Sequence, residues 1–199
     1  MATLYDHKPQ FQAILRPLAN RLAALGATAN AVTVAATGLS AIFGALVMTF
    51  PTNAILLGGL PIVLLLRMAL NAIDGMLARE HGQASLTGAK LNEVGDVASD
   101  LCLYLPLAAV FHPGWPVVLA ASAGIVAEFA GVMALAHGGR RRYDGPLGKS
   151  DRALLFAALA VAHACVGLSA VTVTTAFLLA TAASAATVCN RLFREPSHA

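Results

Sequence analysis

The chain has 199 residues, of which 58% are hydrophobic and only 12% charged, with a mean hydropathy of +0.72. A soluble domain carries about 25% charged residues, so this composition excludes an ordinary water-soluble enzyme. The net charge of +3 comes from cations at the ends of apolar runs, not from a soluble basic patch, which argues for a membrane surface and against nucleic acid.

Hydrophobic runs of about 20 residues recur along the chain, each long enough to cross a bilayer core of roughly 30 Å as a helix. They are continuous, and rich in Ala, Leu and Gly, which excludes a transmembrane barrel. The expected fold class is an all-α integral membrane protein with six transmembrane helices, preceded by an N-terminal amphipathic helix in the interface. Cys102, Cys165 and Cys189 lie scattered in apolar runs and read as inert packing residues.

The N-terminal MATLYDHKPQFQ is polar and lacks the basic-then-apolar order of a cleavable signal. Pro9 suits the first turn of a helix over residues 9–25. Phe11, Ile14, Leu15, Leu18, Leu22 and Leu25 recur there at helical spacing, opposite Gln12, Arg16, Asn20 and Arg21. That helix is too polar to span and is expected to lie in the interface, kinked at Pro17 and closed at Gly26. Spans are expected over 28–50, 54–79, 88–111, 115–137, 151–167 and 171–192, with Ser150 capping the fifth. Three parts result: residues 1–27 as a cytoplasmic segment with the interfacial helix, 28–192 as the six-helix transmembrane domain, and 193–199 as a cytoplasmic tail.

Charge sets the orientation. The loops after the first, third and fifth spans hold no Lys, Arg, Asp or Glu, and twelve of the thirteen cations fall on the other side, Arg67 being the exception. The positive-inside rule then places both termini in the cytoplasm, in a multi-pass protein of the cell's inner membrane.

Residues 71–100, NAIDGMLAREHGQASLTGAKLNEVGDVASD, hold Asp74, Glu93, Asp96 and Asp100 outright, with Glu80 between them. Acids cut into apolar runs need neutralising, and cations are the first candidate. Asn71 and Asp74 share a helix face at the cytoplasmic end of the second span. Asn92, Asp96 and Asp100, spaced by four, line one face at the start of the third, and the short connection makes the two helices antiparallel neighbours. Oxygen-only ligands suit Mg²⁺, Mn²⁺ or Ca²⁺ and not zinc. Metal ions beside a carboxylate base suit phosphoryl transfer, where neutralising charge is most of the task. Gly75 and Gly88 let a nucleotide approach the backbone.

Asp74-Gly75-x-x-Ala78-Arg79, eight residues, then Gly88-x-x-x-Asn92-x-x-x-Asp96 resembles the motif of the CDP-alcohol phosphotransferases, D-x-x-D-G-x-x-A-R, about eight residues, G-x-x-x-D-x-x-x-D. Gly26-x-Thr28-Ala29-Asn30-x-x-Thr33 is similar to the G-x-T-P-N-x-x-T that often opens that family's first span. The resemblance implies a phosphatidyltransferase of phospholipid biosynthesis. Such an enzyme moves the phospho-alcohol part of a CDP-alcohol, here a CDP-linked lipid such as CDP-diacylglycerol, onto an acceptor alcohol and releases CMP. It implies Mg²⁺ or Mn²⁺, one or two ions, held by Asp74 and Asp96 with Asn71 and Asn92. It implies Asp96 as the base, and a nucleotide pocket lined by Gly75, Ala78, Arg79 and Gly88, with Asn30 and Thr33 beside it. The chain departs from the motif where its first and third aspartates fall on Asn71 and Asn92, which cuts the formal site charge from −4 to −2. Glu93 and Asp100, each within a turn of Asp96, are candidates to restore it.

Other polar residues carry two readings each. Arg67 lies deeper on the face of Asn71 and Asp74, either as a phosphate partner or as a structural mate for Asp100 or Glu128. Glu128, in the middle of the fourth span, either contacts the acceptor or is structural. In the loop GGRRRYDGPLGKSDR, Arg140 to Arg142 read as topological charge, while Lys149 and Arg152 are the candidates for an anionic acceptor or lipid phosphate. The six histidines show no ligand spacing. Membrane lipids are the expected surroundings, and small-residue faces in the last three spans permit a homodimer. Two rival readings are a catalytically silent lipid or nucleotide binder on the same fold, motivated by Asn71 and Asn92, and a small transporter, motivated by Arg67 and Glu128. The motif spacing and the lack of an internal repeat weigh against the transporter.

Overall fold

The computed structural model describes residues 8–137 and 139–193. These form α1 (Lys8–Ala24), α2 (Ala29–Thr49), α3 (Ala54–Glu80), α4 (Leu86–Tyr104), α5 (Leu107–Val110), α6 (Trp115–Ala136), α7 (Lys149–Val166) and α8 (Ala170–Phe193), with no strand among the described residues. Four of them, α2, α3, α6 and α8, are long and apolar enough to cross a membrane. The chain is therefore an all-α, multi-pass membrane protein. The other two long helices, α4 and α7, fall short by that measure because they carry the chain's polar business: Lys90, Glu93, Asp96 and Asp100 in one, Lys149, Asp151 and Arg152 in the other.

Helix ends follow local chemistry. Gly26 ends α1 at φ +81°, where a side chain would be strained. Its N–H donates to the Ala23 carbonyl at 3.0 Å, and that of Ala27 to Leu22 at 2.9 Å, the paired bonds of a Schellman stop. Thr28 Oγ1 accepts from Ala31 N–H at 3.1 Å and starts α2. Asn53 Oδ1 accepts from Ile55 and Leu56 to start α3. Ser85 Oγ accepts from Gly88 N–H at 3.0 Å, so α4 begins two residues before the expected Gly88.

Two local expectations need correcting. The run 88–111 is not one helix: Pro106 has no N–H to continue the ladder, and the chain breaks there into α4 and α5. Ser150 does not cap α7. Gly148 precedes the helix, and Asp151 Oδ2 accepts its N–H at 3.0 Å, so the acid in the first turn reaches back. The helix α1 runs unbroken through Pro17, with Pro9 in its first turn.

The chain divides into two compact units, Met1–Phe43 with Ile62–Cys102, and Gly44–Pro61 with Leu103–Ala199. In the first, Ala19 of α1 packs with Ala29 and Val32 of α2 and with Ile73, Met76 and Leu77 of α3. Leu15 and Leu22 of α1 flank that core, while Ile14, Leu18 and Leu25 stay exposed. Gly95 brings α4 close to α2: a Cβ there would lie 3.1 Å from Thr37 Oγ1. In the second unit, Phe111, Phe156 and Phe177 are fully buried, with ring centroids 5.0–5.5 Å apart. His163 packs edge-on against Phe111 at 5.1 Å, a packing role.

Candidate active site

The first unit brings the polar faces of α3 and α4 together in a crossed arrangement. Asn71 Nδ2, on α3, donates to Asp96 Oδ1, on α4, at 2.6 Å. Asn92 Nδ2, on α4, donates back to Asp74 Oδ2, on α3, at 3.0 Å. Thr33 Oγ1, on α2, donates to the same Asp74 oxygen at 2.8 Å. Each motif asparagine thus holds the aspartate of the opposite helix. The spacing makes this local: three residues on α3 and four on α4 put each Asn–Asp pair one turn apart on its own helix.

Arg67, one turn deeper on α3, completes the centre. Its Nη2 donates to the Asp96 carbonyl at 2.9 Å and to Asp96 Oδ1 at 3.3 Å, and its Nη1 pairs with Asp100 Oδ1. Arg67, Asp74 and Asp100 are buried, and Asp96 is half-buried. Buried charges persist in apolar surroundings only when paired, and here each carboxylate has N–H or O–H donors. Ser99 Oγ donates to the Gly95 carbonyl at 2.6 Å and ties α4 to Thr37 at 3.3 Å.

The residues assigned to nucleotide binding sit at the same end of α3 and α4. The Arg79 guanidinium lies over Gly75, where a Cβ would be 3.0 Å from Nη2. At Gly88 a Cβ would come within 2.8 Å of Asn30 Oδ1 and 2.9 Å of Ser85 Oγ, so a larger residue would displace both side chains. Ala78 is half-buried, and Glu93 is half-buried next to Asn92. Gln83 Oε1 accepts from Ala29 N–H at 2.7 Å, pinning the α3–α4 connection to the start of α2.

The second unit holds a different charge cluster. Three guanidiniums converge on Glu128 of α6: Arg152 of α7 at 2.7 Å, Arg141 of the preceding loop at 3.1 Å, and Arg191 of α8 at 3.5 Å. All four side chains are buried or nearly so. Arg191 also donates to the carbonyls of Ala127, Asp144 and Tyr143, and Arg142 Nη1 to that of Arg191 at 3.1 Å. Gly131 lets the loop in: a Cβ would meet the Arg142 carbonyl oxygen at 2.6 Å. Lys149 is half-buried and Arg140 exposed. Outside the helices, the Arg142 guanidinium beside Asp144, at 2.8 Å, holds that carboxyl below its ordinary range.

Arg141 and Arg142, read as topological charge, turn inward. Arg191, absent from the candidates above, carries a signal in the sequence: Val173, Phe177, Ala180, Ser184, Thr187 and Arg191 recur at helical spacing, and all are buried on one face of α8.

The model of the CDP-alcohol phosphatidyltransferase family matches residues 26–189, and the chain belongs to that family. It is a transferase of that type. It is similar to inner membrane protein YnbA of Escherichia coli (strain K12), 50% identical over 157 residues and 77% of each chain. Its fold is similar to that of Mycobacterium tuberculosis phosphatidylinositol phosphate synthase (PgsA1). The crystal structure of that protein with CDP-DAG bound has a TM-score of 0.76 at 21% identity, covering 93% of this chain and 96% of the other. The structure in complex with manganese and citrate has a TM-score of 0.75 at 21% identity, covering 92% and 90%.

Proposed function

We propose that the chain transfers a phosphatidyl group from a CDP-linked lipid, CDP-diacylglycerol in the first instance, to an acceptor hydroxyl and releases CMP. The observation that carries this reading is the crossed pairing of Asn71 with Asp96 and Asn92 with Asp74 at the family's motif positions. The bound CDP-DAG of the mycobacterial neighbour supports the choice of donor.

The site chemistry suits a divalent cation. The donors are oxygens throughout: the carboxylates of Asp74 and Asp96 and the side-chain carbonyls of Asn71 and Asn92. Among the described residues no three His, Cys, Asp or Glu side chains converge on one point, so the asparagines are needed to complete the set. Mg²⁺ or Mn²⁺ there would supply charge neutralisation to the diphosphate and make CMP a good leaving group. The manganese of the neighbouring synthase supports this choice.

The protein's own residues do the rest. Asp96 takes the proton of the acceptor hydroxyl. The freed oxygen attacks the phosphorus that bears the lipid alcohol, and the bond to the CMP oxygen breaks. Thr33, Asn92 and Asn71 hold the two aspartates in place, a positioning role. Gly75, Ala78, Arg79 and Gly88, with Asn30, receive the cytidine diphosphate. Within the second unit, Lys149 and Arg152 remain the candidates for an anionic acceptor or a lipid phosphate, beside the surplus of positive charge around Glu128. Glu93 remains a candidate ligand beside Asn92.

The same reading places six spans in the inner membrane, with α4, α5 and α7 counted among them and both termini cytoplasmic. The helix α1 lies in the interface: one face packs on the protein through Ala19, while Ile14 and Leu25, 75% and 82% exposed, meet lipid. Residues 28–192 form the transferase domain, and the small-residue faces of the last spans suit a homodimer. The test is CMP release from CDP-diacylglycerol by the purified full chain, with Mg²⁺ or Mn²⁺ and a panel of glycerol phosphate, inositol phosphate, amino-alcohol and lipid acceptors. No release with any combination would sink the proposal.

A further inference from the structure

We infer that this centre is built for one divalent cation: Asn71 and Asn92 remove the two negative charges that a second ion would cancel, and the Arg67 guanidinium offsets Asp100. The inference rests on the metal-dependent transfer proposed above and concerns how this chain's own residues balance it.

The charges are interlocked. Asp74, Asp96 and Asp100 carry three negative charges, and Arg67, bonded to two of them, carries one positive. The cluster therefore has two net negative charges, which one divalent cation cancels. With aspartate at 71 and 92 the same cluster would carry four, the charge of two such ions. The asparagines do more than drop a charge. Their Nδ2 atoms donate to the two aspartates at 2.6 and 3.0 Å. Those positions would be repulsive between carboxylates without a cation between them. The amide bonds thus do the bridging that an ion would otherwise do. Arg67 is the only cation in α3 before Arg79, and its guanidinium grips Asp96 twice, through the side chain and the backbone carbonyl. A guanidinium cannot shed its proton at any working pH, so this positive charge is permanent where a metal ion is exchangeable.

Mn²⁺ bound to the purified full chain, counted by electron paramagnetic resonance and titration calorimetry, tests this without reference to turnover. The parent protein is expected to bind one ion per chain, and Asn71→Asp with Asn92→Asp together two. Arg67→Gln removes the positive charge beside the ion, so Mn²⁺ should bind about tenfold more tightly or better, whereas Arg67→Lys keeps the charge and the parent affinity. Two ions on the parent chain, or none, overturns the inference. So does Mn²⁺ affinity that is unchanged or weaker in folded Arg67→Gln. The parent's CMP release, measured beside these, separates the two claims. Release with two ions bound removes the single-cation centre and leaves the transferase. One ion bound with no release for any acceptor removes the proposed reaction and leaves the single-cation centre.

Discussion

Both units bury charge among apolar helices, in opposite proportion. In the first, one guanidinium pairs with two of three aspartates, and the other donors are neutral: the amides of Asn71 and Asn92 and the hydroxyl of Thr33. In the second, three guanidiniums share one carboxylate, and the remaining acceptors are neutral backbone carbonyls of Ala127, Tyr143, Asp144 and Leu147. Each unit pairs its buried charges internally yet keeps a surplus of one sign. A surplus is costly in a low-dielectric interior unless something of opposite sign arrives. On the proposed function, the first unit's surplus calls for a cation and the second's for an anionic group.

The largest effect should come from the carboxylate that both holds and reacts. Asp96→Asn keeps the shape and the bonds to Asn71 and Arg67 within reach but removes the base. CMP release should fall by about 10²–10⁴-fold, the usual worth of a general base. A variant as fast as the parent would leave the first unit's surplus without a catalytic use.

Glu128→Gln breaks the second unit in the reverse sense, by stranding three guanidiniums. Removing one partner of a buried pair costs about 3–5 kcal/mol, because an uncompensated charge stays behind. Denaturant unfolding of the full chain in detergent should show a loss of that size. A change under about 1 kcal/mol would mean the arginines act as exposed pairs do.

How much of this could be read from residues alone differs between the units. The first was legible because its chemistry is written at short range: Asn71, Asp74, Asn92 and Asp96 sit one turn apart on two helices joined by a short connection. The Gly26 stop of α1 was legible for the same reason. What could not be read was which donor each carboxylate takes, because that depends on how α3 and α4 register against each other. The second unit was hidden. An arginine at the end of an apolar run looks the same whether it snorkels to water or folds inward. For Arg141 and Arg191 the choice is made by groups far off in sequence, Glu128 and the carbonyls of Ala127, Tyr143 and Asp144, and for Arg142 by the Arg191 carbonyl together with Asp144 two residues on. Pro106 lay in plain view, but it takes the tertiary fold to say that a helix breaks there instead of kinking.

The loop that delivers those arginines gives a smaller effect. Gly145 sits at φ +137°, and a Cβ there would lie 2.5 Å from Thr187 Cγ2. Thr187 Oγ1 accepts from Leu147 N–H at 3.1 Å, so displacing it loosens the loop from α8. Gly145→Ala combines backbone strain with a clash and should cost about 1–3 kcal/mol. The same unfolding measurement reads it, and the parent's stability in this variant would show that the loop can shift without disturbing Arg141 or Arg152.

The smallest effect is a pH dependence on the same loop. Arg142 donates to Asp144 from Nε at 3.0 Å and from Nη2 at 2.8 Å, and this pairing is the main reason the carboxyl titrates below its ordinary range. A carboxyl whose folded value is depressed binds its proton more weakly folded than unfolded. Its stabilising contribution is therefore complete above the unfolded value and is lost as pH falls through the folded one. The Asp144 side chain is 51% exposed, so solvent screens the pair and the contribution is slight. Unfolding midpoints taken from neutral pH down through the carboxylate range should fall slightly more steeply for the parent than for Asp144→Asn, and the gap should narrow in high salt. Parallel curves would mean that Arg142 is held by the Arg191 carbonyl alone, and that the loop needs no charge of its own to carry Arg141 to Glu128.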